Sequence, residues 1–409
     1  MGNNVKLDKI IKDGDVQKLR QKNLTGEEIN SNNFTVLGFA VKCRQLPIVQ
    51  VLLEHPQINI DLQTNPKKET ALMIACLIIN LDIVKELLLK NPQIDIQNSK
   101  ETALMISCLT GNLDIVKELL SKNPQIDIQN LKETALMIAC LTGNLDIVKE
   151  LLSKNPQIDI QNLGETALMI SCLTGNLNIV KELLLKNPQI DIQNLGETAL
   201  MISCSSGNLN IVKELLSKNP QIDIQNLGET ALMIAIKQEH FDVIYFLTNK
   251  GANIRNYNRN KNCLDIAIKT QNLSIIKFFC ALSLDHPVDF ENLLIDLPNE
   301  NIQNFMKRYQ EIHQKNQNIF FKFQELLKIS GEIPEPSINL FFQRCFSFPE
   351  RQQEQVQQDP FCKICFTNQK NCVLLPCHHF GICFECAQLI EDCPFCRMKI
   401  TQKMKIYDQ

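Results

Sequence analysis

Three features of the 409-residue sequence predict a mainly α chain, a helical solenoid of about eight units followed by a small, cysteine-rich α+β domain. The string Glu-Thr-Ala-Leu-Met-Ile recurs from Glu69, Glu101, Glu133, Glu165, Glu197 and Glu229, always 32 residues apart. Between copies the apolar residues fall at helical spacing. Residues 362–396 then hold eight cysteine and histidine groups in four close pairs. A fixed period of this length marks a stacked array, in which each unit buries its apolar face only against a neighbour.

Composition removes other classes. Lys and Arg number 42 against 45 Asp and Glu, and the formal net charge of −3 argues against a broad electrostatic grip on nucleic acid. No basic clustering or aromatic–basic platform points to a nucleic-acid binder either. With 44% hydrophobic and 21% charged residues the chain is neither a disordered tail nor a membrane protein. Seventeen cysteines are an odd count, and no apolar core follows Met1-Gly2-Asn3-Asn4-Val5-Lys6, so a secreted disulfide framework is not expected. The cysteines are expected to be buried or metal-bound, in a cytoplasmic or nuclear protein. Gly2 is a poor myristoylation signal, because Lys6 stands where Ser or Thr is wanted.

Each repeat unit reads as two short helices. Thr102 suits an N-cap, its hydroxyl accepting from an otherwise unpaired N–H of the first turn. Ala103, Leu104, Ile106 and Ser107 supply the first helix and Gly111 breaks it. Leu113, Ile115, Val116, Leu119 and Leu120 form the second apolar face. Pro124 disfavours a helical Asn123 and so ends that helix. Ile126-Asp127-Ile128 reads as a short extended run. Diverged units begin at Thr35-Val36-Leu37 with Ile48-Val49, and at Asn262-Cys263-Leu264 with Ile275-Ile276. Leu7 to Leu19, broken at Gly14, reads as half a unit that caps the N-terminal end.

The unit resembles the ankyrin repeat, with Thr-Ala-Leu-Met where that family has Thr-Pro-Leu-His. The departures are systematic: Ala for Pro, Met for His, and Asn-Pro-Gln-Ile-Asp for Gly-Ala-Asp. Methionine forfeits the histidine hydrogen bond that usually ties neighbouring repeats. The resemblance implies eight repeats over roughly residues 34–284 and, with the cap, a solenoid at 1–284. In the family, hairpin tips and first helices supply an extended concave surface. Here the tips carry Leu131, Leu163, Leu195 and Leu227, followed by Glu133, Glu165, Glu197 and Glu229, and the first helices add Leu109, Leu141 and Leu173. These residues read either as an apolar stripe edged with acid, suited to an extended or helical partner with basic flanks, or as leucines packed on adjacent tips beside solvated glutamates.

Cys76, Cys108, Cys140, Cys172 and Cys204 share one repeat position, where the family usually has alanine. Free cysteine behaves as a small buried hydrophobe, and no ligand groups stand a few residues away, so structural filler is expected. From Asp285 to Gln358 the period vanishes and nine phenylalanines appear. Ile302, Phe305, Met306, Tyr309 and Ile312, then Ile319, Phe320, Phe323, Leu326 and Leu327, suit amphipathic helices that cover the open end of the array. Pro334 and Pro336 interrupt them, and Gln-rich Arg351 to Gln358 reads as a linker. Residues 285–358 are thus expected to be a helical capping and linker region.

The C-terminal cluster carries the chemistry. It runs Cys362-x2-Cys365, eleven residues, Cys377-x-His379, then Cys383-x2-Cys386 and Cys393-x2-Cys396. Structural zinc is closed tetrahedrally by four thiolate or imidazole ligands, so eight groups imply two zinc ions. About fifty residues with little apolar mass take much of their folding free energy from metal. His378 competes in principle with His379, and C-x-H spacing favours His379. Cys372 lies in the apolar run Cys-Val-Leu-Leu without a paired ligand and reads as filler.

This pattern resembles a RING finger and is most similar to the C-terminal RINGs of the inhibitor-of-apoptosis type, in Pro376 to Ala387 and in Cys393-Pro394-Phe395-Cys396-Arg397. The resemblance implies a RING domain at 359–409 with interleaved ligation: Cys362, Cys365, Cys383 and Cys386 on one zinc, and Cys377, His379, Cys393 and Cys396 on the other. It implies a RING-type ubiquitin ligase, with Ile364 and Pro394 as the platform for a ubiquitin-conjugating enzyme and Arg397 as the linchpin to that enzyme and ubiquitin. Lys399, Ile400, Met404, Ile406 and Tyr407 fit a short strand that pairs across a homodimer and offers Tyr407 to ubiquitin, or else simply packs at the end of the domain. The solenoid would then select a protein substrate. The alternative is a non-enzymatic scaffold whose RING is structural or heterodimerises with an active ligase.

Overall fold

The computed structural model describes residues 2–22, 24, 34–63, 67–98, 100–130, 133–255, 262–283, 299–314, 326, 372–375, 379–382 and 402–405. The chain divides into two compact units, residues 1–221 and 222–409, each described by itself.

Eight helix pairs follow the period. In the first unit these are Val36–Lys42 with Leu46–Glu54, Ala71–Leu77 with Leu81–Leu89, Ala103–Thr110 with Leu113–Ser121, Ala135–Thr142 with Leu145–Ser153, Ala167–Leu173 with Leu177–Leu185, and Ala199–Ser205 with Leu209–Leu216. The second unit adds Ala231–Lys237 with Phe241–Asn249, and Cys263–Thr270 with Leu273–Leu282. The caps are as expected. Thr102 Oγ1 accepts from the Met105 amide at 3.3 Å, Asn112 Oδ1 accepts from Ile115 at 2.9 Å, and Gly111 closes the first helix with φ 73°. Leu104, Met105, Ile115, Val116, Leu119 and Leu120 are buried, as are their counterparts in the neighbouring repeats. Each such side chain withdrawn from water stabilises the stack by about 1.5–3 kcal/mol before entropy is counted.

The second helix ends before Asn123-Pro124 as expected, at Ser121, and Asn123 itself sits at φ 53°, its amide donating to the Leu120 carbonyl at 3.2 Å. Asn91, Asn155, Asn187 and Asn219 repeat this left-handed stop, which asparagine tolerates better than other non-glycine residues. One local expectation needs correction: Ile126-Asp127-Ile128 is not extended. Ile126 and Asp127 form a turn that the Ile128 amide closes on the Gln125 carbonyl at 3.5 Å.

The turn lets aspartate reach the next repeat. Asp127 Oδ1 accepts from the Gln157 amide at 3.0 Å. Asp61 to Gln93, Asp95 to Gln125 and Asp159 to Gln189 do the same at 3.0 Å, and Asp191 to Gln221 at 3.1 Å. In the second unit Asp223 accepts from Asn253 at 2.9 Å. A tie between repeats thus exists without histidine, and the methionines at that position (Met73, Met105, Met137, Met169, Met201, Met233) are buried in the core. Desolvation pushes the Asp61 carboxyl above the ordinary carboxylate range, and the Gln93 amide works against it.

Both expected ends are present. Helices Gly2–Asp13 and Val16–Arg20 bury Ile11 and Leu19, and Gln45 Nε2 donates to the Lys12 carbonyl at 3.0 Å. In the second unit, helix Glu300–Gln314 buries Ile302, Phe305, Met306, Tyr309 and Ile312. The Tyr309 hydroxyl donates to the Cys280 carbonyl at 3.2 Å, which seats this helix on the last repeat. Leu326 is buried, while Ile319, Phe320, Phe323 and Leu327 lie outside the described residues. A three-stranded antiparallel sheet follows: β1 (Cys372–Leu375), β2 (His379–Ile382) and β3 (Gln402–Lys405), in the order β2-β1-β3.

The five repeat-position cysteines are buried and none is in a disulfide. Burial pushes the Cys76, Cys140 and Cys172 thiols from the usual 9.0 up to about 12, against a smaller lowering by the Ser107, Ser171 and Ser203 hydroxyls of the following repeat. Cys108 and Cys204 are raised for the same reason. A thiol whose pKa rises on folding lends stability that is whole below its unfolded value and drains away as the pH climbs toward the folded one. Thermal melts should therefore fall in midpoint as the pH is raised from about 8 to about 11. Replacing Cys76, Cys140 and Cys172 by alanine should flatten that decline.

Candidate functional site

The exposed edge of the array is built from two-residue hairpins. Asn162 and Glu165 exchange backbone hydrogen bonds of 2.7 Å, and Asn194 and Glu197 exchange bonds of 2.8 Å. Between them Leu163 and Gly164 take φ 48° and 97°, and Leu195 and Gly196 take 48° and 90°. Positive φ at both loop residues is a type I′ turn. A Cβ on Gly164 would lie 2.4 Å from Asn194 Oδ1 of the next tip, so glycine is required by close approach as well as by conformation.

These turns set how far the tip leucines are packed. Leu163 is 72% exposed and Leu195 91% in the first unit, and Leu227 is 89% exposed in the second. The leucines do not pack on adjacent tips, because the turn leaves its two central residues outside the paired Asn and Glu. Their left-handed backbone also costs a residue with a Cβ about 1–2 kcal/mol. Glu133 is not merely solvated: it is half-buried, and its carboxylate accepts from Asn162 Nδ2 at 3.5 Å. Glu165 is half-buried, Glu197 is exposed, and Glu229 of the second unit pairs with Lys237. Leu131 lies outside the described residues. At the ends of the first helices Leu109, Leu141 and Leu173 are exposed.

Of the expected zinc ligands, Cys362, Cys365, Cys377, Cys383, Cys386, Cys393 and Cys396 lie outside the described residues, as do Ile364, Pro394, Arg397 and Tyr407. His379 opens β2 and Cys372 opens β1. Leu374 of β1 stands opposite His379, so the two strands form a hairpin whose connection contains Cys377 in sequence. A donor set of seven thiols and an imidazole in pairs close in sequence fits zinc. Met404, expected in a terminal strand, is in β3 and pairs with Val373 of the same chain. Lys399, Ile400 and Ile406 lie outside the described residues.

Overlapping matches to the family model of ankyrin repeats, three copies to a model, run from residue 10 to residue 289. The chain belongs to the ankyrin-repeat family. Residues 358–403 of this ankyrin-repeat chain match the model of the C3HC4-type zinc finger, the RING finger. Among curated relatives, it is 38% identical over 58 residues to E3 ubiquitin-protein ligase XIAP of Rattus norvegicus, covering 14% of this chain and 12% of the relative. It is 47% identical over 49 residues to Mitochondrial E3 ubiquitin protein ligase 1 of Drosophila melanogaster, covering 12% and 14%. It is 34% identical over 58 residues to Baculoviral IAP repeat-containing protein 7 of Xenopus tropicalis, covering 14% and 16%. The ankyrin-repeat chain thus spans less than a fifth of the length of each of these three relatives. Among solved structures, the human ASB11 ankyrin repeat domain aligns with 49% of this chain and 92% of its own at 25% identity, with a TM-score of 0.45. Among the described residues no helix is long and apolar enough to cross a membrane.

Sequence reasoning missed the aspartate relay and the turn type. The pattern Asn-Leu-Gly-Glu between repeats carried the second signal, since glycine after one loop residue is the mark of a two-residue hairpin. Leu195→Asn, which places a residue suited to the left-handed position, should raise stability by about 1 kcal/mol in urea unfolding.

Proposed function

We propose that this chain is a RING-type ubiquitin ligase of the cytoplasm or nucleus. In this reading a solenoid (1–284) recruits a protein substrate, a helical region (285–358) caps and links, and a RING finger (359–409) promotes ubiquitin transfer from a conjugating enzyme to a substrate lysine. The match of residues 358–403 to the RING model carries the proposal. Cys362, Cys365, Cys383 and Cys386 would hold one zinc, and Cys377, His379, Cys393 and Cys396 the other. Strand β2 supports splitting His379 from Cys383. From His379 to Ile382 it advances roughly 10 Å, so ligands before and after it are favoured for different ions.

The zinc ions, closed by four protein ligands each, supply folding and no open coordination position. The chain's own groups act by orientation. Ile364 and Pro394 form an apolar platform for the conjugating enzyme. Arg397 donates hydrogen bonds to enzyme and ubiquitin together and so holds the thioester in a geometry ready for attack. No cysteine of this chain takes up ubiquitin. A homodimer through the tail would offer Tyr407 to the partner's ubiquitin. On the solenoid, Leu131, Leu163, Leu195 and Leu227 with Glu133, Glu165, Glu197 and Glu229 are the substrate contacts, each unit contributing its own.

The test is discharge of ubiquitin-charged conjugating enzymes onto free lysine. The wild type should accelerate it with at least one enzyme of a panel, Ile364→Ala and Arg397→Ala should each lose roughly tenfold or more, and metal analysis should return two zinc ions per chain. No acceleration across the panel contradicts ligase activity and favours a scaffold. Equal acceleration by all three proteins contradicts the roles of Ile364 and Arg397.

A further inference from the structure

Charge is segregated within the first unit. Between residues 133 and 221 all the lysines (149, 154, 181, 186, 213 and 218) lie on a second helix or just past its end, and arginine and histidine do not occur. The second-helix charges compensate one another across repeats. Lys117 Nζ stands 3.6 Å from Glu150, Lys149 3.6 Å from Glu182 and Lys181 3.3 Å from Glu214. The tips and first helices from residue 162 to residue 205 carry Glu165 and Glu197 with no basic residue among them, whereas the tip before them holds Lys132 beside Glu133. On the same tips stand the exposed Leu163 and Leu195, and Leu109, Leu141 and Leu173 are exposed at the far ends of first helices. Neither packing nor turn chemistry accounts for the tip leucines, since asparagine or glycine suits their backbone better.

We infer that this strip binds a basic amphipathic helix of the partner protein, apolar on one face and flanked by lysine or arginine. The inference rests on the solenoid's recruiting a protein and names the chemistry it recruits. Neighbouring repeats stack helix on helix, about 10 Å apart. Seven residues of α-helix advance about 10.5 Å. A helix laid along the stack therefore presents one residue to the tip row per repeat, so that successive contacts fall on one apolar face at the heptad period. A β-strand does not keep that match: about 10 Å is three residues of extended chain, an odd number that turns successive contacts to opposite faces. Lysine and arginine on the helix flanks meet Glu165 and Glu197, which supplies salt-sensitive steering rather than most of the affinity.

Fluorescence anisotropy with the full zinc-loaded chain tests this with three labelled peptides of about three heptads. One carries leucine at the two apolar heptad positions with lysine and arginine flanks. The second rearranges the same composition so that no apolar face forms. The third is a proline-rich, polyproline II peptide of equal charge. The helical peptide should bind at least about tenfold more tightly than the other two, and more weakly as salt is raised. Joint Leu163→Asn and Leu195→Asn should weaken it roughly tenfold or more in protein that circular dichroism shows to be folded. Joint Glu165→Gln and Glu197→Gln, which leave the turn unchanged, should reduce the salt dependence. Equal or tighter binding of the rearranged or proline-rich peptide, or undiminished binding by the leucine variant, overturns the inference. Wild-type discharge onto free lysine separates the readings: discharge without helix binding overturns this inference alone, whereas helix binding without discharge supports it and removes the ligase.

Discussion

A single repeat of 32 residues cannot bury its own apolar face, so the fold depends on what one repeat gives the next. The aspartate of Ile-Asp-Ile is the polar part of that gift. Asp127 and Asp159 each close a backbone amide of the following repeat, Gln157 and Gln189, at 3.0 Å. A charged acceptor for a backbone amide is stronger than a neutral one. The exposed Lys–Glu pairs along the second helices recur with the same period. Standing in water, they contribute far less each.

With the stack fixed in this way, the two chemistries of the chain separate. Repeat cysteines are inert because burial raises their thiols, whereas clustered cysteines at 362–396 are matched to zinc by spacing. One residue type therefore serves as filler in the solenoid and, in the proposed reading, as ligand in the RING finger. The proposed reaction requires nothing more reactive than orientation. A module closed by zinc would suit that task, since holding a thioester near a lysine asks only for orientation.

How much was legible follows from how local each feature is. Thr102, Gly111 and the apolar residues of the second helix act within one repeat, and the period displayed the threonine six times and the glycine four. The Cys-x2-Cys pairs were legible for the same reason. Ile126-Asp127-Ile128 misled because alternation imitates a strand, while its geometry answers to Gln157, 30 residues on. Asn123-Pro124 ends the helix as read, but the rule for a residue before proline says nothing of the left-handed stop that asparagine offers. At the tips the sequence left open both an apolar stripe for a partner and leucines packed on adjacent tips, and only the turn geometry put Leu163 and Leu195 in water.

The dependence of the stack on its aspartates is tested most directly by Asp159→Ala, read by urea unfolding together with hydrogen exchange at the Gln189 amide. Loss of the acceptor should speed exchange at Gln189 by roughly tenfold and lower stability by about 1–2 kcal/mol. A Gln189 amide that exchanges as slowly as in the wild type, with an unmoved midpoint, would show that apolar contact alone holds neighbouring repeats and that the relay is incidental.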